Sequence, residues 1–257
     1  VHVPLFVPNR FLKQAENGGY GGAVECIDWV AGVIFDELQR QGLDDNTMVI
    51  FTSDNGSRAR GEGGSNAPLR GTKFQTWEGG QRVPCIVRYP GKVPAGRICD
   101  DLVTSMDFMP TFARMTGTTE PQDRVIDGKD ISPLIFGDEG ATSPHESFWY
   151  YRLDNLEAVR RGKWKLHFAK GKAFDKADEG VDELYDLDQD IGEEHNLFDD
   201  HPEIVEALKA EAERARQDLG DVLTGDEGSG KREVGRVENP KPLATYDENH
   251  PYIVAAY

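Results

Sequence analysis

Residues 48–56 read MVIFTSDNG: a short apolar run that stops on a hydroxyl, a carboxylate, an amide and a glycine. Continuous rather than alternating apolar character predicts a strand covered on both faces, inside an α/β sheet. Upstream, Val24, Ile27, Ala31, Ile34 and Leu38 recur at helical spacing with Gly42 just beyond, which predicts a helix with one buried face and a glycine stop. Helix, tight turn, buried strand is the rhythm of an α/β fold. Ligands in such sheets bind beyond the strand ends, where loops converge. Asp54 and Asn55 stand at one of these ends and carry the oxygen donors that suit a hard divalent cation. The same tripeptide also makes an ordinary Asx turn around Gly56, and by itself it leaves both readings open.

The chain has 257 residues, enough to bury a substantial core. With 29 basic against 46 acidic residues its net charge is −17, a surface that repels nucleic acid and anionic lipid, so neither is expected as a partner. No apolar run reaches bilayer-spanning length. Cys26, Cys85 and Cys99 are odd in number and lack zinc-site spacing, so buried free thiols are expected. The opening residues VHVPL have neither a signal-peptide pattern nor an initiator methionine, as expected of a chain whose beginning has been removed.

Further along, residues 82–89 (RVPCIVRY) read as a second strand closed by Pro90 and Gly91. Residues 108–115 read as a short helix ended by Gly117 and capped by Asp107 or Ser105, because Pro110 is tolerated only in a first turn. A zone rich in Gly, Asp and Pro at 128–144 reads as a boundary, giving expected domains of 1–140 and 141–257. Beyond it, residues 147–152, 158–168 and 183–187 predict a small antiparallel sheet. Pro202 opens a helix whose inner face is Ile204, Leu208, Ala212, Ala215 and Leu219, with Gly220 at its end. The charged run 188–194 is expected to be a solvated loop, and 225–257 a polar tail. Within that tail GDEGSGK (225–231) has phosphate-loop spacing, but Arg232 replaces the magnesium-binding hydroxyl and no buried strand precedes it, so a nucleotide is not expected.

Residues 69–84, LRGTKFQTWEGGQRVP, gather Arg70, Lys73 and Arg82 among glycines in an otherwise acidic chain. A lysine on such a loop can direct its ammonium at an anion that also binds a metal. TSDNG followed by LRGTKFQTWEGGQRVPCIVRYPG closely resembles the formylglycine-dependent sulfatases of the alkaline phosphatase superfamily. YGGAVECIDWVAGVIFDEL, SMDFMPTFARMTG, LEAVRRGKWKLHF and ELYDLDQDIGEEHNL continue the resemblance, in order, over nearly the whole chain.

The resemblance implies an alkaline phosphatase-like α/β sandwich, present in part, with a small C-terminal subdomain of antiparallel sheet and helix. It implies a sulfuric ester hydrolase of arylsulfatase type acting on a sulfated small molecule or glycan. Asp54 matches the family's acidic ligand for a divalent metal, usually calcium, and Asn55 the amide beside it. Lys73 matches the lysine that binds the sulfate oxygens and the leaving group. VHVPLFVP places the active-site histidine on His2, a residue able to give a proton to the departing oxygen. Arg70, Glu78 and Arg82 stand in the loop pattern as structural residues, with Gly79 and Gly80 allowing the turn.

The family's nucleophile is a formylglycine made in a Cys/Ser-x-Pro/Ala-x-Arg motif, and this sequence has none: Ser132 and Ser143 are each followed directly by proline. The family places that motif, with a pair of metal-binding aspartates, upstream of the matching segments. The expectation is therefore a C-terminal half, inactive alone, from a protein exported to the periplasm or secreted. A phosphonate or phosphodiester hydrolase of the same superfamily, or a non-catalytic binding protein on the same scaffold, remain the alternatives. The oligomeric state is not legible.

Overall fold

A computed structural model describes residues 1–171 and 178–241. Helix α1 (Asn9–Gln14) packs on the long helix α2 (Gly18–Arg40), which leads through a 3-10 turn at Asp44–Asn46 into strand β1 (Val49–Thr52). The lysine loop follows, ending in the one-turn helix α3 (Glu78–Gln81) and strand β2 (Cys85–Arg88). β2 pairs antiparallel with β1, Val49 opposite Arg88 and Thr52 opposite Cys85. Helices α4 (Phe108–Met115) and α5 (Ser132–Phe136) come next. The C-terminal part is a meander of β3 (Ser147–Arg152), β4 (Asn155–Arg161), β5 (Trp164–Gly171) and β6 (Asp178–Asp186), in that spatial order, with helix α6 (Pro202–Leu219) against it.

The largest apolar core lies between this sheet and α6. Leu156, Val159, Leu166 and Leu184 meet Val205, Leu208, Ala212 and Ala215, all fully or almost fully buried. Pro202 occupies the first turn of α6, where its missing N–H costs nothing, and Gly220 closes the helix at φ 78°. The anticipated strand at 158–168 is two strands, because Gly162 at φ 58° turns the chain between β4 and β5. Val205 and Glu211, not Ile204 and Leu219, complete the buried face of α6.

Three expectations about the first part are corrected. Helix α2 forms, but of its residues only Gly22 is buried, and Val24, Ile27 and Ile34 stand exposed. β1 is not covered on both faces: Phe51 is 42% exposed, and its partner Ile86 62%. Both errors share one cause. Apolar patterning reports which faces are built to be covered, and within the described residues no layer lies over these. The cysteines are free, as anticipated, but not buried: Cys85 and Cys99 are exposed and Cys26 is intermediate.

Asp107 is the residue preceding α4, yet its carboxylate does not cap that helix. It accepts hydrogen bonds from the backbone N–H of Thr104 at 2.7 Å and of Lys129 at 2.8 Å, and it pairs with His145 at 2.7 Å. Part of the proposed tail is ordered against α6, where Gly228 and Gly230 approach the backbone of Asp218. Residues 242–257 lie outside the described residues.

Candidate functional site

The loop that follows β1 and the lysine loop are laced together through their backbones. The N–H of Gly56 donates to the Gly80 carbonyl at 3.1 Å, and the N–H of Lys73 to the Ser57 carbonyl at 3.1 Å. The Asn66 side chain completes the lacing: it accepts from the Ser57 N–H and donates to the carbonyls of Ser57 and Gly71, at 2.8, 2.8 and 3.0 Å. Such contact is possible because the facing residues lack side chains. A Cβ on Gly56 would lie 1.8 Å from the Gly79 carbonyl oxygen, and one on Gly80 would lie 2.2 Å from that of Gln75. Gly79 and Gly80 therefore serve close backbone approach; neither adopts a positive φ.

The Ser57 tie holds the Lys73 backbone against a residue two positions after Asn55. The Lys73 ammonium lies 5.2 Å from the Phe74 ring centroid and, among the described residues, forms no ion pair with a carboxylate. Phe74 itself sits at φ 75°, a conformation that few non-glycine residues adopt. Asp54 is exposed and lines a cleft of about 1090 Å³ together with Glu78, Arg82, Tyr150 and Arg160. Asn55 is half-buried, and its carbonyl accepts from the Ser53 hydroxyl at 3.2 Å. Lys73 is not among the residues lining that cleft. His2 is exposed, with Nδ1 2.7 Å from the Val3 carbonyl oxygen, and no described hydrogen bond or ion pair joins it to Asp54 or Lys73.

Asp54 and Asn55 offer two adjacent oxygen donors, which fit part of a calcium shell of six to eight oxygens. Among the described residues no group of three or more His, Cys, Asp or Glu side chains is placed to hold a metal. These two residues fit the role of partial ligands, to be completed by other donors.

Sequence reasoning missed a buried polar cluster beneath the lysine loop. Lys165 on β5 is fully buried and donates to the Thr76 carbonyl at 2.7 Å and to Glu78 at 2.8 Å, while Glu193 lies 2.8 Å from the same ammonium. Glu193 also accepts from the Glu78 N–H at 2.8 Å, and His167 Nε2 lies 3.1 Å from it. The Tyr150 hydroxyl donates to Glu78 at 2.9 Å, and Arg82 donates to the other Glu78 oxygen at 2.6 Å. Burial alone would raise the Glu78 carboxyl, but the charge and hydrogen bond of Lys165, aided by Arg82, hold it down at about 2. Arg70 stacks on Trp77, 3.7 Å from the ring centroid, and donates to the Glu193 carbonyl at 2.7 Å. Arg70 and Glu78 are tied into this packed cluster, in keeping with the structural reading of both. The 188–194 run is not a simple solvated loop, since Glu193 is completely buried.

The missed signal was alternation on β5. In WKLHF, Trp164, Leu166 and Phe168 face α6, and Lys165 and His167 take the opposite face, which the lysine loop covers.

A family model described as "Sulfatase" matches residues 1–118, and one described as "N-sulphoglucosamine sulphohydrolase, C-terminal" matches residues 72–218. The chain belongs to the sulfatase family. The arylsulfatase of Hemicentrotus pulcherrimus is 38% identical over 229 residues, covering 82% of this chain and 41% of that protein. The N-acetylgalactosamine-6-sulfatase of Canis lupus familiaris is 42% identical over 170 residues, covering 65% and 32%. A sulfatase structure from work on glycosaminoglycan metabolism in Bacteroides thetaiotaomicron superposes with a TM-score of 0.72 at 28% identity, covering 84% of this chain and 48% of its own. The structure of Ps i-CgsB with k-i-k-neocarrahexaose gives 0.70 at 25% identity, covering 89% and 49%. The chain therefore spans less than half the length of each of these sulfatases. Their likeness makes the architecture an alkaline phosphatase-like α/β fold, as anticipated. Sulfatases are in general metal- and formylglycine-dependent enzymes.

Proposed function

We propose that this chain forms the lysine side of a sulfate ester hydrolase site, in an enzyme whose nucleophile segment lies outside it. The observation that carries the reading is the lacing of the Asp54–Asn55 loop to the Lys73 loop, which fixes a carboxylate, an amide and an ammonium on neighbouring backbone. Asp54 and Asn55 would hold two positions on a calcium ion, which supplies Lewis-acid polarisation of the sulfate when bound. Lys73 would bind the sulfate oxygens and stabilise charge developing on the leaving oxygen, and His2 would supply that oxygen with a proton. The separate core of sheet and α6 supports reading 141–257 as a subdomain behind the catalytic residues 1–140. Relatives named for glycan and aryl sulfates support a sulfated glycan or small aromatic sulfate as substrate.

The test is sulfate release from an aryl sulfate by the enzyme that includes its nucleophile segment. Lys73→Ala is expected to lower kcat/KM by about 10²–10³, the usual cost of losing one fixed charge at a developing anion. A rate near that of the unaltered enzyme would overturn the assignment.

A further inference from the structure

Lys165 has no part in the site assigned above, yet it is the most deeply buried cation among the described residues. Taking an ammonium out of water is costly unless it is paired and fully hydrogen-bonded, and an apolar residue of similar size would hold the sheet at lower cost. Here the charge is met completely. The Thr76 carbonyl, Glu78 and Glu193 approach it at 2.7, 2.8 and 2.8 Å, and the Tyr150 ring lies 4.1 Å away. Two of these partners belong to the lysine loop, and Thr76 is three residues beyond Lys73.

From Lys73 the chain has only two directions, and each is held. Behind it the Ser57 carbonyl takes its N–H, and ahead of it Gln75 folds back on Thr72 through the Gln75 N–H and the Thr72 carbonyl at 3.0 Å. The Gln75 side chain accepts the Thr72 N–H at 3.0 Å, and the next residue is gripped by Lys165 at its carbonyl and by Glu157 at its hydroxyl. Between the two holds Phe74 is kept at φ 75°, a conformation that persists only where surrounding contacts over-determine it.

We propose that Lys165 is a positioning residue for Lys73: its ammonium, with Glu78 and Glu193, clamps the C-terminal end of the loop and so sets where the Lys73 ammonium stands. Tyr150 and His167 complete the clamp from the same sheet face. The inference rests on the reading of Lys73 as the sulfate-binding lysine. It adds that the C-terminal sheet takes part in catalysis through this contact, without touching substrate.

A double-mutant cycle on sulfate release by the complete enzyme tests it. Lys165→Met is expected to lower kcat/KM about tenfold to a hundredfold, the scale of an ångström-level misplacement. In a Lys73→Ala background the same change should cost less than about twofold, because a clamp acting through Lys73 has nothing left to position. Tyr150→Phe, which removes one hydrogen bond to Glu78 and leaves every charge paired, runs through the same cycle and carries the test if Lys165→Met does not fold. Equal losses in both backgrounds, or no loss in either, overturn the inference and leave the assignment of Lys73 standing. Full activity in Lys73→Ala alone overturns that assignment instead.

Discussion

A single atom separates a working loop junction from a broken one at Gly56. A methyl group there would meet the Gly79 carbonyl oxygen at 1.8 Å, and the nearest atoms are all backbone of Gly79 and Gly80, so no flexible side chain can move away. Gly56→Ala is expected to destabilise the chain by about 1–3 kcal/mol, the usual cost of overpacking. It should also cut sulfate release in the complete enzyme, since the same junction carries Lys73. Gly61, with open space around the equivalent position, is the control, and Gly61→Ala should stay within about 0.5 kcal/mol in urea unfolding. At this scale the sequence was legible where residue type had one physical use. Glycines 79 and 80 marked a place where the backbone needed room, although for close approach rather than for the turn expected of them. It was not legible where a charge was buried. Lys165, Glu193 and His167 were indistinguishable from solvated residues, because what pays for their burial is a loop some ninety residues earlier in the chain for Lys165 and Thr76.

Elements differ in how far their own pattern determines them. Helix α6 was readable from Pro202 to Gly220, and Leu208, Ala212 and Ala215 of its predicted stripe are buried, joined by Val205 and Glu211 rather than by Ile204 and Leu219. Helix α2 shows an equally regular stripe that the described residues leave open. The two cases predict opposite responses to truncation. Leu166→Ala or Leu184→Ala, in the closed core between the sheet and α6, should each cost about 2–5 kcal/mol. Ile86→Ala, on the uncovered side of β2, removes surface that is largely in water already and should cost under about 1 kcal/mol in this chain. Denaturant midpoints at constant slope would check both, and a large loss at Ile86 would show that its face is covered in solution.

Across the whole molecule, the order of segments made the family legible, while the polar contact that joins its two parts was not. That contact makes stability depend on acidity in a definable way. Glu78 is held at about 2, against an ordinary value of 4.5, by Lys165 and Arg82 overcoming burial. Its contribution is therefore present above pH 4.5 and lost as pH falls towards 2. His167 is pushed down to about 4 from 6.5, first by burial and then by the Lys165 charge. Its geometry gives the reason: Nε2 faces Glu193 as the donor of the neutral ring, and Nδ1 is buried without a partner, so an added proton would have nothing to bind. The unfolded chain then takes up this proton first, and stability falls between pH 6.5 and 4. Each shift corresponds to roughly 3 kcal/mol at most. Both act in the same direction, so urea midpoints should decline continuously from pH 7 to 3. His167→Gln should flatten the upper part of that decline while leaving the lower part in place. Trp77, stacked on His167 with centroids 4.0 Å apart, makes tryptophan fluorescence the probe. A midpoint constant from pH 7 to 4.5 in the unaltered chain would show that His167 is not held neutral against the lysine loop.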